Sequence, residues 1–143
     1  MMKTYLSIFL LIVFSALSIL HFYWANGGSW GFAEALPTDA NGKRLLNPSA
    51  LESAIVGTGL MLFGIYYLLQ SGLVLSLPTW TFFKIIGWII PGIFLLRAIG
   101  DFKFIGIFKP PLETAFAKAD LYFYSPLCLL IALLGFLIIR PND

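Results

Sequence analysis

Nine residues carry most of the chemistry available to this chain: His21, Trp24, Asn26, Glu52, Arg97, Asp101, Asp120, Tyr124 and Ser125. Arg97 and Asp101 lie four residues apart in FLLRAIGDFKF, at the end of a long apolar run. An ionisable group placed in lipid costs about 2.5–3.5 kcal/mol even on insertion scales, so its presence at the edge of a span points to function. His21, Arg97 and Asp101 are the candidate catalytic residues. A histidine or an aspartate can move a proton, and an arginine can hold an anionic headgroup or stabilise developing charge. Trp24, Asn26, Glu52, Asp120, Tyr124 and Ser125 are the candidate ligand-binding residues, the aromatic rings as pocket wall and Tyr124 and Ser125 as orienting groups. The opposing interpretation makes all of them anchors that pin helix ends at the membrane interface.

The elements that must position these residues follow from composition. Of 143 residues, 59% are hydrophobic and 11% are charged, against about a quarter charged in soluble domains. The chain therefore reads as a single all-α membrane domain, a four-transmembrane-helix bundle over residues 1–143 with spans at about 4–25, 50–72, 79–99 and 121–139. The net charge of +2 is small and the basic residues flank apolar runs, which argues against a nucleic-acid partner. Cys128 is the single cysteine and His21 the single histidine, so an intrachain disulfide, a CxxC centre and two-histidine haem ligation are excluded. No metal site is expected, and no cofactor can be named.

The first span reads as a retained helix. A cleaved signal peptide would have a shorter apolar region and a small residue where Tyr23 stands. The span closes on Phe22, Tyr23 and Trp24, an interfacial aromatic belt, and stops at Asn26-Gly27-Gly28. Asn41-Gly42 predicts a turn, with Pro37-Thr38 pairing against Arg44-Leu45-Leu46 in a small hairpin. Ser49 and Glu52 predict a capping box. Ser53, Gly57 and Gly64 form a small-residue face on the second span. Pro78 sits in the link to the third span, and Pro91-Gly92 predicts a kink before Arg97. Residues 100–121 alternate aromatic residues with Lys103 and Lys109, as a segment lying among headgroups would. A short surface helix is expected over 112–119, followed by a fourth span capped by Asp120 or Ser125 and ended by Arg140-Pro141.

Counting spans brings the polar residues together. Four helices in alternating direction place the loops after spans one and three on one face. The ends bearing all nine candidates meet there. Arg97 is expected to pair with Asp101, Asp120 or Glu52, because a buried carboxylate needs a partner. Lys43, Arg44, Arg97, Lys103, Lys109 and Lys118 lie on that face, against Lys3, Lys84 and Arg140 on the other. That bias favours cytoplasmic loops, while Lys3 ahead of the first helix argues the other way.

The chain resembles a family of small bacterial membrane proteins known as domain of unknown function number 3995. The resemblance rests on HFYWANGGSWG from residue 21, ALPT from residue 35, LLRAIGDFKFIGIFK from residue 95 and FAKADLYFYSPLCLL from residue 116. It implies four transmembrane helices with a shared polar face and supplies no activity. Two functions from different classes then compete. One is a polar site at one face of a multi-pass protein of the bacterial inner membrane, binding a small amphipathic or lipid-like molecule, with or without catalysis. The other is a non-catalytic accessory subunit or homo-oligomer held by the small-residue face of the second span. A transporter is a weaker third, since no span carries a midplane acid. Membrane lipids are expected partners in every case.

Overall fold

The computed structural model describes residues 1–75, 80–111 and 113–140. Pro78, Pro141, the first residue of the expected third span and the first of the expected surface helix lie outside the described residues. The chain order is α1 (Met2–Ala25), α2 (Phe32–Ala35), α3 (Ala50–Gln70), α4 (Thr81–Ile99), α5 (Ala115–Ala119), a π-helical turn (Asp120–Tyr124) and α6 (Ser125–Ile139). Among the described residues there are four helices long and apolar enough to cross a membrane, namely α1, α3, α4 and the continuous run Ala115–Ile139. The protein is thus all-helical, with the make-up of a multi-pass integral membrane protein.

Small residues set which helices touch. Gly57 and Gly64 of α3 lie against α1: a Cβ on Gly57 would stand 3.3 Å from the His21 Cβ, and one on Gly64 would stand 3.4 Å from the Phe14 Cβ. Ser18 donates to the Gly57 carbonyl at 2.7 Å, which ties the two helices together where water is absent. On the other side Gly135 of α6 admits Pro91 of α4, whose ring leaves no room for a Cβ there. α4 continues through Pro91. At the centre Phe14 stacks on Tyr67 at 5.7 Å and meets Phe63 and Phe94 edge-on. The small-residue face of α3 is therefore occupied within the chain.

The fourth span begins earlier than the sequence suggests. Residues Ala115–Ala119 are not a separate surface helix: Phe116 and Ala117 are buried, and the helix runs on through the π turn into α6. Thr114 caps it, accepting from the Ala117 N–H at 3.2 Å, so neither Asp120 nor Ser125 is the cap. Pro126 explains the wide turn before it. Proline cannot donate to the carbonyl four residues back and crowds it, and Ser125 N–H reaches instead to the Asp120 carbonyl, five back. The local predictions at the start of α3 hold: Ser49 and Glu52 form the capping box, with the Ser49 N–H donating to Glu52 Oε2 at 2.6 Å. Asn41-Gly42 turns the chain between Thr38 and Arg44, which form one antiparallel bridge.

Candidate functional site

The loop after α4 builds the site. Asp101 Oδ1 accepts the backbone N–H groups of Lys103, Phe104 and Ile105 at 2.7–2.9 Å. Desolvation would raise this carboxyl, but the donors of Ile105, Phe104 and Lys103 outweigh it and hold it below its ordinary value. The loop then folds back on the end of α4. Ile107 N–H donates to the Ala98 carbonyl at 2.9 Å, and Gly100 and Gly106 cross so closely that a Cβ on Gly100 would lie 1.8 Å from the Ile105 carbonyl oxygen. Both glycines have positive φ, at 83° and 97°. Asp101 is thus the organiser of a loop. It does not pair with Arg97.

The fold-back delivers two donors to Asp120, which is 0% exposed. Gly106 N–H reaches its Oδ2 at 2.8 Å, and the Lys109 ammonium forms a short ion pair with the same oxygen. Arg97 Nη2 reaches Oδ1 at 2.7 Å, joined there by the Ser125 hydroxyl at 3.1 Å. Of the three carboxylates open to Arg97, the structure selects Asp120. Lys109 is turned inward with its side chain 4% exposed, so it is no headgroup-facing residue, although Phe102 and Phe108 of the same loop are exposed. A sequence reading misses Lys109. The signal is the Gly100-Asp101…Gly106 pattern, which bends the loop back and carries Lys109 inward.

A cavity of about 300 Å³ lies beside this cluster. His21, Trp24, Glu52, Arg97 and Tyr124 line it, five of the nine candidates. Leu17, Leu20, Val56, Phe94, Leu127 and Ile131 form its apolar wall, while Phe32 and Leu36 contribute from the first loop and Cys128 from α6. Asp120 and Ser125 stand behind Arg97 and do not line the cavity. Asn26 does not line it either: its side-chain amide donates to the Phe22 carbonyl at 2.8 Å and closes α1. Glu52 reaches the cavity at its exposed rim, where its carboxylate holds the cap of α3.

The polar residues on the wall are oriented. His21 Nδ1 lies 2.8 Å from the Leu17 carbonyl, which can only accept, so the neutral ring carries its free lone pair on Nε2. Trp24 donates its indole N–H to the Trp30 carbonyl at 2.8 Å and meets His21 and Phe32 edge-on, at 4.9 and 5.6 Å between ring centres. Arg97 is held through Nη2, whereas its Nη1 is buried with no hydrogen-bond partner among the described residues. The lining thus combines an apolar surface with a cation, an imidazole and a phenol. Among the described residues no group of three or more His, Cys, Asp or Glu is placed to hold a metal ion.

The family model described as "Protein of unknown function (DUF3995)" matches residues 14–135, and the chain belongs to that family. No curated protein and no solved structure matches it.

Proposed function

We propose that this member of the family binds a small amphipathic, lipid-like molecule in the cavity between its long helices. The setting we propose is the bacterial inner membrane. The observation that carries the proposal is that six aliphatic and aromatic side chains line one cavity together with Arg97, His21 and Tyr124. A cavity of mostly apolar lining with a few convergent polar groups is the usual form of a small-molecule site. The apolar body of the ligand lies along Leu17, Val56 and Ile131, and its polar end faces Arg97 and Tyr124. Catalysis at this site would use His21 Nε2 as the proton acceptor. The competing role of accessory or oligomeric subunit loses its expected interface, because α1 covers Gly57 and Gly64.

The test is mass spectrometry of small molecules that co-purify in mild detergent, with Ala35→Trp as the comparison. Ala35 lines the cavity from the short helix α2 and takes no part in the Asp120 ion pairs, so the larger ring fills space without removing a member of them. A defined species near one per chain, lost in the variant while the helical content is kept, is the expected result. Bulk lipid alone, equal in both samples, would overturn the proposal in favour of the accessory role.

A further inference from the structure

We infer that the polar end of the bound amphiphile is an oxyanion, a carboxylate or a phosphate, held on the guanidinium of Arg97, whose Nη1 is left unengaged; this rests on the ligand-binding role proposed above. Asp120 cannot satisfy that nitrogen. A carboxylate offers about four acceptor positions, and the two oxygens of Asp120 already accept from Arg97 Nη2, the Ser125 hydroxyl, the Gly106 N–H and Lys109. Among the described residues Nη1 is buried without a partner, while Arg97 itself lines the cavity with its side chain 32% exposed. A buried donor of a charged group left without an acceptor is costly, and a guanidinium fork engaged on one side is shaped to take a second oxyanion on the other.

Charge leads to the same chemistry. Two cations, Arg97 and Lys109, meet one anion, Asp120, leaving one positive charge in excess within the cluster. Of the nearby carboxylates, Asp101 and Glu52 are engaged by backbone N–H groups: Asp101 accepts three from its own loop, and Glu52, at the exposed rim, accepts that of Ser49. Glu34 is solvent-exposed on α2. Tyr124 lines the same cavity as Arg97 and carries a hydroxyl that can donate to an oxyanion. The apolar wall then selects against small inorganic anions, since they would leave it empty. The class is a single-chain amphiphile with an anionic oxygen headgroup.

The experiment is native mass spectrometry in mild detergent with four probes: decanoate, decyl phosphate, decanol and inorganic phosphate. The wild-type chain should bind one decanoate or one decyl phosphate at least about tenfold more tightly than decanol, the margin of one charge-assisted hydrogen bond. Whichever of the two anions binds tighter identifies the source of the oxyanion. Arg97→Lys keeps a cation for Asp120 but removes Nη1, and should bring decanoate down to the level of decanol. Decanol bound as tightly as both anions in the wild type would overturn the oxyanion and leave the amphiphile role standing. Binding of none of the three chain-bearing probes would overturn both. Inorganic phosphate bound as tightly as decyl phosphate would make this a free-anion site and overturn the inference. The wild-type comparison alone decides the matter if Arg97→Lys fails to fold.

Discussion

Replacing Asp120 with asparagine tests the cluster at its centre. The substitution conserves shape and one carbonyl oxygen, which can still accept the Gly106 N–H, while the Ser125 hydroxyl on the other side can rotate to accept from the amide. What it removes is the charge facing Arg97 and Lys109. Lys109 is the decisive partner, because its side chain is 4% exposed and has little access to water. Removing one member of a buried ion pair costs about 3–5 kcal/mol, since the other charge stays desolvated. The amide nitrogen also points its donors toward one of the two cations, which lie on different oxygens of Asp120. Against a total stability of about 5–15 kcal/mol, this is a large fraction. The assay is reversible unfolding in mixed micelles with increasing dodecyl sulfate, followed by far-ultraviolet circular dichroism. Asp120→Asn should lose about 3–5 kcal/mol, and adding Lys109→Met should recover part of it because the stranded ammonium is gone. A loss below about 0.5 kcal/mol for Asp120→Asn, the range of an ordinary surface change, would refute the assignment of Asp120 as the buried counter-ion.

Gly106→Ala should destabilise by more than about 3 kcal/mol in the same assay, because it combines backbone strain at positive φ with a Cβ 2.3 Å from the Ile99 carbonyl oxygen. Gly59→Ala, where the new atom meets nothing within 4 Å, should stay within about 0.5 kcal/mol; equal effects at the two positions would contradict the close crossing. Asp101 has a folded-state carboxyl held below its ordinary value, so its contribution is present above about pH 4 and is lost as the pH falls through that lowered value. Protection of the amides of Lys103, Phe104 and Ile105 from hydrogen exchange, taken relative to the intrinsic rate at each pH, should fall on acidification in the wild type; protection as low in the wild type as in Asp101→Ala at neutral pH would remove Asp101 from that role.

Features encoded by neighbours in sequence are legible without a structure. The four spans follow from twenty-residue apolar runs. The Ser49–Glu52 capping box is a three-residue relation, and the turn at Asn41-Gly42 is a two-residue one. Alternation of helix direction is enough to bring the candidate residues to one end. What the sequence hides is the partner of Arg97. Asp101 is four residues away and Asp120 twenty-three, and no local rule prefers the distant one. The choice is made by the loop between them. Three N–H groups of that loop capture Asp101, and the crossing of Gly100 and Gly106 then swings Lys109 inward. Lys109 looks like an interfacial lysine because its neighbours are Phe108 and Pro110; only the buried carboxylate it meets makes it otherwise. The π turn is hidden for a related reason. Asp120 reads as a helix cap by type, whereas burial and four donors keep it inside a longer helix.

The same geometry separates the groups that hold the site from those that face a ligand. Asp120 is the most buried charge in the chain and looks like the natural acid or base of a reaction. It is poorly suited to either role, since every acceptor position on it is filled and it stands behind Arg97, off the cavity wall. Its part is to fix Arg97 in place, leaving the guanidinium half engaged. Asp101 is likewise bound to its own loop, and Asn26 to the end of α1. Of the nine candidates, Arg97, His21, Tyr124, Trp24 and, at the rim, Glu52 line the cavity in which the proposed ligand would lie. A loss of function on replacing Asp120 would therefore say little about what the site does, because the whole cluster would move with it. Variants on the cavity side, such as Arg97→Lys, His21→Gln and Tyr124→Phe, leave the charge of Asp120 in place and are the ones that report on the ligand.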